Sequence, residues 1–89
     1  MESFEFSGYI EQNGGRQPFY LRISEPRPVP EAEDFSCLVH APHLFKTDKT
    51  IFGIDSKQAR GLALQFVESL IEGRRITDRA GNPVKLEEL

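Results

Sequence analysis

Three side chains in this sequence have the types that bind soft metals or carry nucleophilic catalysis: Cys37, His40 and His43. A catalytic thiol needs a base within hydrogen-bond reach, and a structural zinc site needs four ligands. Cys37 and His40 fall in a segment that reads as a strand. Three positions apart on a strand, they point to opposite faces. His43 can approach His40 through the following loop, but two ligands are too few for a structural zinc. Cys37 is therefore expected in the core, the histidines at the surface, and neither a metal nor a cofactor is expected. Asp55 is the most sharply placed carboxylate, and a helix N-cap accounts for it. Asn13-Gly14-Gly15 joins two strands and enters no helix, so it is not a phosphate loop. These residues make no catalytic set, and the chain is not expected to be an enzyme.

Two groupings remain as binding surfaces. Tyr9, Tyr20 and Arg22 belong to side-chain types enriched at protein interfaces, and strand alternation puts all three on one face of a hairpin. Arg74, Arg75 and Arg79 form the densest basic spot, with Glu72 and Asp78 among them. A nucleic-acid site combines a broader basic surface with stacking aromatics. No aromatic follows Phe66, so a solvated helix terminus is the simpler reading of the arginines.

The elements that must position these residues follow from hydrophobic period. Phe4, Phe6, Gly8 and Ile10 alternate with polar neighbours, and the alternation resumes at Phe19, Leu21 and Ile23. Asn13-Gly14 between such runs signals a tight hairpin, because both turn positions require positive φ. That turn sets Phe4 opposite Ile23 and Phe6 opposite Leu21. On the other face it sets Glu5 opposite Arg22 and Glu11 opposite Arg16. A Gly14-Gly15 turn would keep the apolar pairing but lose both charge pairs, so the Asn13-Gly14 register is preferred. A stiff extended connector with Pro26, Pro28 and Pro30 leads to a third strand, Phe35 to Val39. Its prolines lie two apart, which is not the P-x-x-P spacing of an aromatic-groove ligand. Thr50 to Ile54 makes a fourth strand.

Asp55 then caps a helix, with Gln58 three residues on to complete a capping box. Ala59, Leu62, Ala63, Phe66 and Leu70 form the expected apolar stripe, and Gly73 the left-handed terminus. Nothing in the pattern explains Gly61 inside the helix. Ile76 and Val84 flank a turn and are expected to close a short C-terminal β-hairpin over Leu64 and Ile71. The fold class is thus α+β: a four-stranded antiparallel β-meander, one amphipathic helix packed on one face, and that hairpin.

The segment Ile51-Phe52-Gly53-Ile54-Asp55-Ser56-Lys57-Gln58-Ala59, continuing to Leu62-Ala63-Leu64 and Phe66-Val67, resembles a group of short, uncharacterised bacterial proteins. In these a strand ending Gly-aliphatic-Asp runs into a helix beginning near Gln-Ala. The resemblance implies this architecture and a bacterial source, and it brings no activity.

Composition bounds the rest. Eighty-nine residues make one domain, residues 1–89, and 38% hydrophobic content is enough for a core. A single cysteine forms no internal disulfide and suits a reducing compartment. No signal peptide and no apolar run of membrane-spanning length is present, so a cytoplasmic location is expected. Net charge is −3, with three basic and seven acidic residues before Lys46 and eight basic and seven acidic from there on. That balance argues against general affinity for nucleic acid or anionic membrane. A small non-catalytic protein-binding or regulatory module, of inhibitor or immunity type, is the leading expectation, acting on a protein partner or as a homodimer. The alternative is an accessory domain of an enzyme or nucleic-acid complex that uses Arg74, Arg75 and Arg79.

Overall fold

The computed structural model describes residues 2–88. Strands β1 (Phe4–Gln12) and β2 (Gly15–Ile23) form the expected hairpin. Asn13 and Gly14 both take positive φ, 51° and 78°, and the register follows, with Phe6 opposite Leu21, Glu5 opposite Arg22 and Glu11 opposite Arg16. The opposed charges nevertheless form no ion pair within 4 Å among the described residues. Arg16 instead lays its guanidinium 4.0 Å from the centroid of the Tyr9 ring, two residues along the face. A planar, weakly hydrated guanidinium stacks favourably on an aromatic face.

The proline connector is not wholly a loop: Arg27–Pro28 forms a two-residue strand, β3, paired with β4 (Phe35–His40). β4 also pairs with the end of β2 and, along its other side, with β5 (Lys49–Gly53). β1, β2, β4 and β5 therefore make the antiparallel meander. A further strand, β6 (Arg75–Thr77), pairs with β1 at Tyr9 to Glu11. The C-terminal return is present as a Thr77–Pro83 bridge with the Val84 amide donating to the Ile76 carbonyl at 2.9 Å.

Asp78 organises that return. Its Oδ1 accepts from the amides of Ala80 and Asn82, each at 2.9 Å. These bonds, led by the one from Asn82, hold its carboxyl below the ordinary aspartate value. A depressed folded value means stability that is complete above the unfolded value and is lost as pH falls through the folded one. The melting-temperature gap between the wild type and Asp78→Asn should accordingly be widest near neutrality and close in acid. A gap that stays constant with pH would show that the carboxylate charge contributes nothing to the turn.

Helix α1 (Ser56–Leu70) packs across the inner face of the sheet. Asp55 caps it, its Oδ1 accepting from the Gln58 amide at 2.7 Å. Gln58 reaches back to the Ile54 amide at 2.8 Å, one residue before the cap. The buried stripe is Ala59, Ala63, Val67 and Ile71, rotated from the one expected. Leu62 and Leu70 are 37% and 40% exposed, and Phe66 is half-buried against Phe45. Close approach is the reason. Gly53 of β5 lies against the backbone of Ala59, so the contact line takes small side chains and the bulky ones are displaced to its flanks. Gly61 faces open space, and nothing in the structure explains it.

The core lies between α1 and the inner sheet face, with Phe6, Ile10, Phe19, Leu21, Ile23, Cys37 and Val39 from the sheet. Ile76 and Leu86 close its C-terminal end, Leu86 from a single 3₁₀ turn, Leu86–Glu88. No helix among the described residues is long and apolar enough to cross a membrane.

Candidate functional site

The outer face of the sheet is built by the same alternation that fills the core. β1 gives it Glu5, Ser7, Tyr9 and Glu11; β2 gives Arg22, Tyr20, Pro18 and Arg16 opposite them. β4 adds His40 beside Arg22, then Leu38 and Ser36, and β5 sets Thr50 and Phe52 against those two. Arg22, Leu38, His40, Thr50 and Phe52 are all exposed.

Tyr9, Tyr20 and Arg22 thus share this face. Tyr9 is half-buried beneath Arg16. Tyr20 stands edge-on to the His40 ring, with centroids 5.9 Å apart and planes at 70°. Partial desolvation, followed by the neighbouring Glu5 carboxylate, pushes the Tyr20 phenol above its ordinary value, while Arg22 works against the shift. Arg22 makes no ion pair among the described residues and is free to meet a carboxylate from outside.

Several members of the face could not be placed from sequence. His40 pairs through Nδ1 with Asp48 Oδ1 at 2.7 Å, both side chains 47% exposed. An imidazole oriented by a carboxylate can act as a base, but here it meets no thiol. Cys37 lies on the inner face, 1% exposed, its thiol raised by burial with Arg60 opposing. His43 is occupied elsewhere: its Nε2 meets Gln12 Oε1 at 3.3 Å and its ring edge faces Phe19. Among the described residues no three His, Cys, Asp or Glu side chains converge as metal ligands would.

The basic group is divided by the fold. Arg75 lies opposite Glu11 in the β1–β6 ladder, whereas Arg79 sits in the turn beyond β6 and lines a depression with Tyr9, Pro18 and Tyr20. Arg74 remains at the helix end near Leu70 and His43. The sequence signal that groups the three is adjacency along the chain, and β6 separates them by turning into the sheet. Leu38, 48% exposed, joins Arg22, Ser24 and Arg27 in a second depression. Comparisons with protein-family models, curated proteins and solved structures each give no match.

Proposed function

We propose that this protein is a non-catalytic binding module that contacts a protein partner through the outer face of its sheet. One observation carries the reading: Tyr20, Arg22 and Leu38 form a contiguous aromatic, cationic and apolar surface on a sheet face that α1 does not cover. Tyr and Arg supply large contact area with directional donors, and Leu38 supplies apolar area that gains by leaving water. The free Arg22 guanidinium suits an acidic partner residue. A bacterial source and a reducing, cytoplasmic setting belong to the same proposal; the single, buried Cys37 is consistent with them.

The test is a quantitative capture from bacterial cytosol, comparing the wild type with Tyr20→Ala, Arg22→Ala and the double variant Arg74→Ala, Arg75→Ala. A partner held by the wild type should bind Tyr20→Ala or Arg22→Ala about tenfold more weakly or worse, each variant remaining folded. Unchanged affinity in both, with loss in the Arg74, Arg75 variant, would move the contact to the helix end.

A further inference from the structure

β5 pairs with β4 on one side only, so among the described residues the other side of Lys49–Gly53 carries no strand partner. Just beyond the strand the Ile54 amide is already held by Gln58 Oε1 at 2.8 Å, which leaves Thr50 and Phe52 as the backbone available for pairing. We propose that this edge is self-complementary, and that two copies of the chain join through it into one continuous antiparallel sheet. The proposal rests on β5, not on Tyr20 or Arg22, and so goes beyond the reading above.

The two most exposed large apolar side chains among the described residues are on this segment: Ile54 at 70% and Phe52 at 55%. Charge then selects the register. A two-fold axis perpendicular to the sheet keeps the inner and outer faces in common, so each pairing must be centred on a residue. Centred on Phe52, it sets Lys49 against Asp55 of the second copy at both ends, Thr50 against Ile54, and Phe52 against itself. Centred on Ile51, it leaves Lys49 opposite Gly53 and Asp48 opposite Ile54. Centred on Thr50, it sets Asp48 against Phe52; centred on Gly53, it opposes Lys49 to Lys57. Only the Phe52 register matches opposite charges and stacks aromatic on aromatic.

Both charges are available for it. Among the described residues Lys49 makes no ion pair, its Nζ lying 5.8 Å from the Phe45 ring centroid. Asp55 uses Oδ1 for the helix cap and keeps further acceptor capacity on its other oxygen. A lone lysine on an edge strand normally discourages pairing. Here the symmetric partner supplies its counter-charge. One strand from each copy makes a small interface, so the association belongs to the weak, concentration-dependent class.

Sedimentation from micromolar to millimolar protein should show the mass rise from one chain to two. Phe52→Lys should shift the midpoint at least tenfold or abolish the dimer, while Tyr20→Ala leaves it intact. Lys49→Glu should weaken it in low salt and recover part of the loss in high salt, the reverse of the wild type. Under mild oxidation Phe52→Cys should cross-link two chains and Thr50→Cys should not, because only position 52 faces itself. The Phe52→Cys cross-link decides the matter even if Phe52→Lys proves unfolded. A wild type that stays monomeric at millimolar concentration would overturn the proposal, as would a dimer indifferent to Phe52→Lys, or cross-linking at Thr50→Cys in place of Phe52→Cys. A monomer that instead takes an extended peptide along β5 would assign the edge to another occupant.

Discussion

Phe19→Ala should lower the unfolding free energy by about 3–5 kcal/mol, measured by chemical denaturation. Phe19 is 1% exposed and is the largest fully buried side chain. It stands on β2 opposite Gly8, with the Phe6 ring 6.2 Å away and the His43 ring at 6.4 Å. Gly8 cannot fill the space that truncation leaves. A Cβ there would run into the Thr77 carbonyl and come within 2.7 Å of the Phe6 ring, so that region is fixed by β6 on one side and by Phe6 above. Against a total of roughly 5–15 kcal/mol for a domain, the loss threatens folding itself. Phe66→Ala should cost clearly less, because Phe66 is half-buried and packs at the margin with Phe45. Equal losses in the two variants would mean that the helix presents Phe66, and not Val67, to the centre of the core.

Gly53→Ala is the second large effect, and it comes from a single added methyl. Its Cβ would overlap the Ala59 amide nitrogen and lie 2.7 Å from Ala59 Cα and 2.9 Å from the Gln58 carbonyl carbon. These are backbone atoms of the first turn of α1 and cannot swing aside as a side chain can. Relief requires the helix to lift from β5, at a cost of roughly 1–3 kcal/mol or more. The same substitution at Gly61, where nothing lies within 4 Å, should have the opposite sign and gain about 1 kcal/mol through helix propensity. Two Gly→Ala changes, one in β5 and one in α1, with opposite shifts in melting temperature would verify the close helix–strand contact. A neutral Gly53→Ala would refute it.

How much of this was legible in the sequence depends on the range of the interactions involved. Positive φ at Asn13 and Gly14 is a local steric demand, so the turn could be derived in advance. Between it and a Gly14-Gly15 turn, it was the opposition of Glu5 to Arg22 and Glu11 to Arg16 that pointed to the β1–β2 register adopted, although those charges form no ion pair among the described residues. The Asp55 cap is local too, needing only an acceptor three residues from a free amide. Because alternation is equally local, the sequence alone assigns Tyr9, Tyr20 and Arg22 to one face. Which face of α1 is buried was not local. Summed hydrophobicity points to Leu62, Phe66 and Leu70, but the helix meets Gly53 closely at Ala59 and turns Ala59, Ala63, Val67 and Ile71 inward.

The surroundings of the candidate site were likewise decided by tertiary pairing. His40 comes beside Arg22 through two β2–β4 pairs that close a long loop, and Asp48 reaches His40 by the fold of the β4–β5 connection. Arg79 reaches the Tyr9 depression because β6 turns back onto β1. Such contacts carry the entropy of closing long chain segments, and no short-range pattern announces which of them will form. The sequence by itself therefore determined the turn, the cap and the two faces of the hairpin, where a few adjacent residues meet a steric or hydrogen-bonding requirement. Only the tertiary structure decided the helix face, the neighbours of Tyr20 and Arg22, and the open edge at β5, because each depends on surfaces that approach one another after the chain has closed.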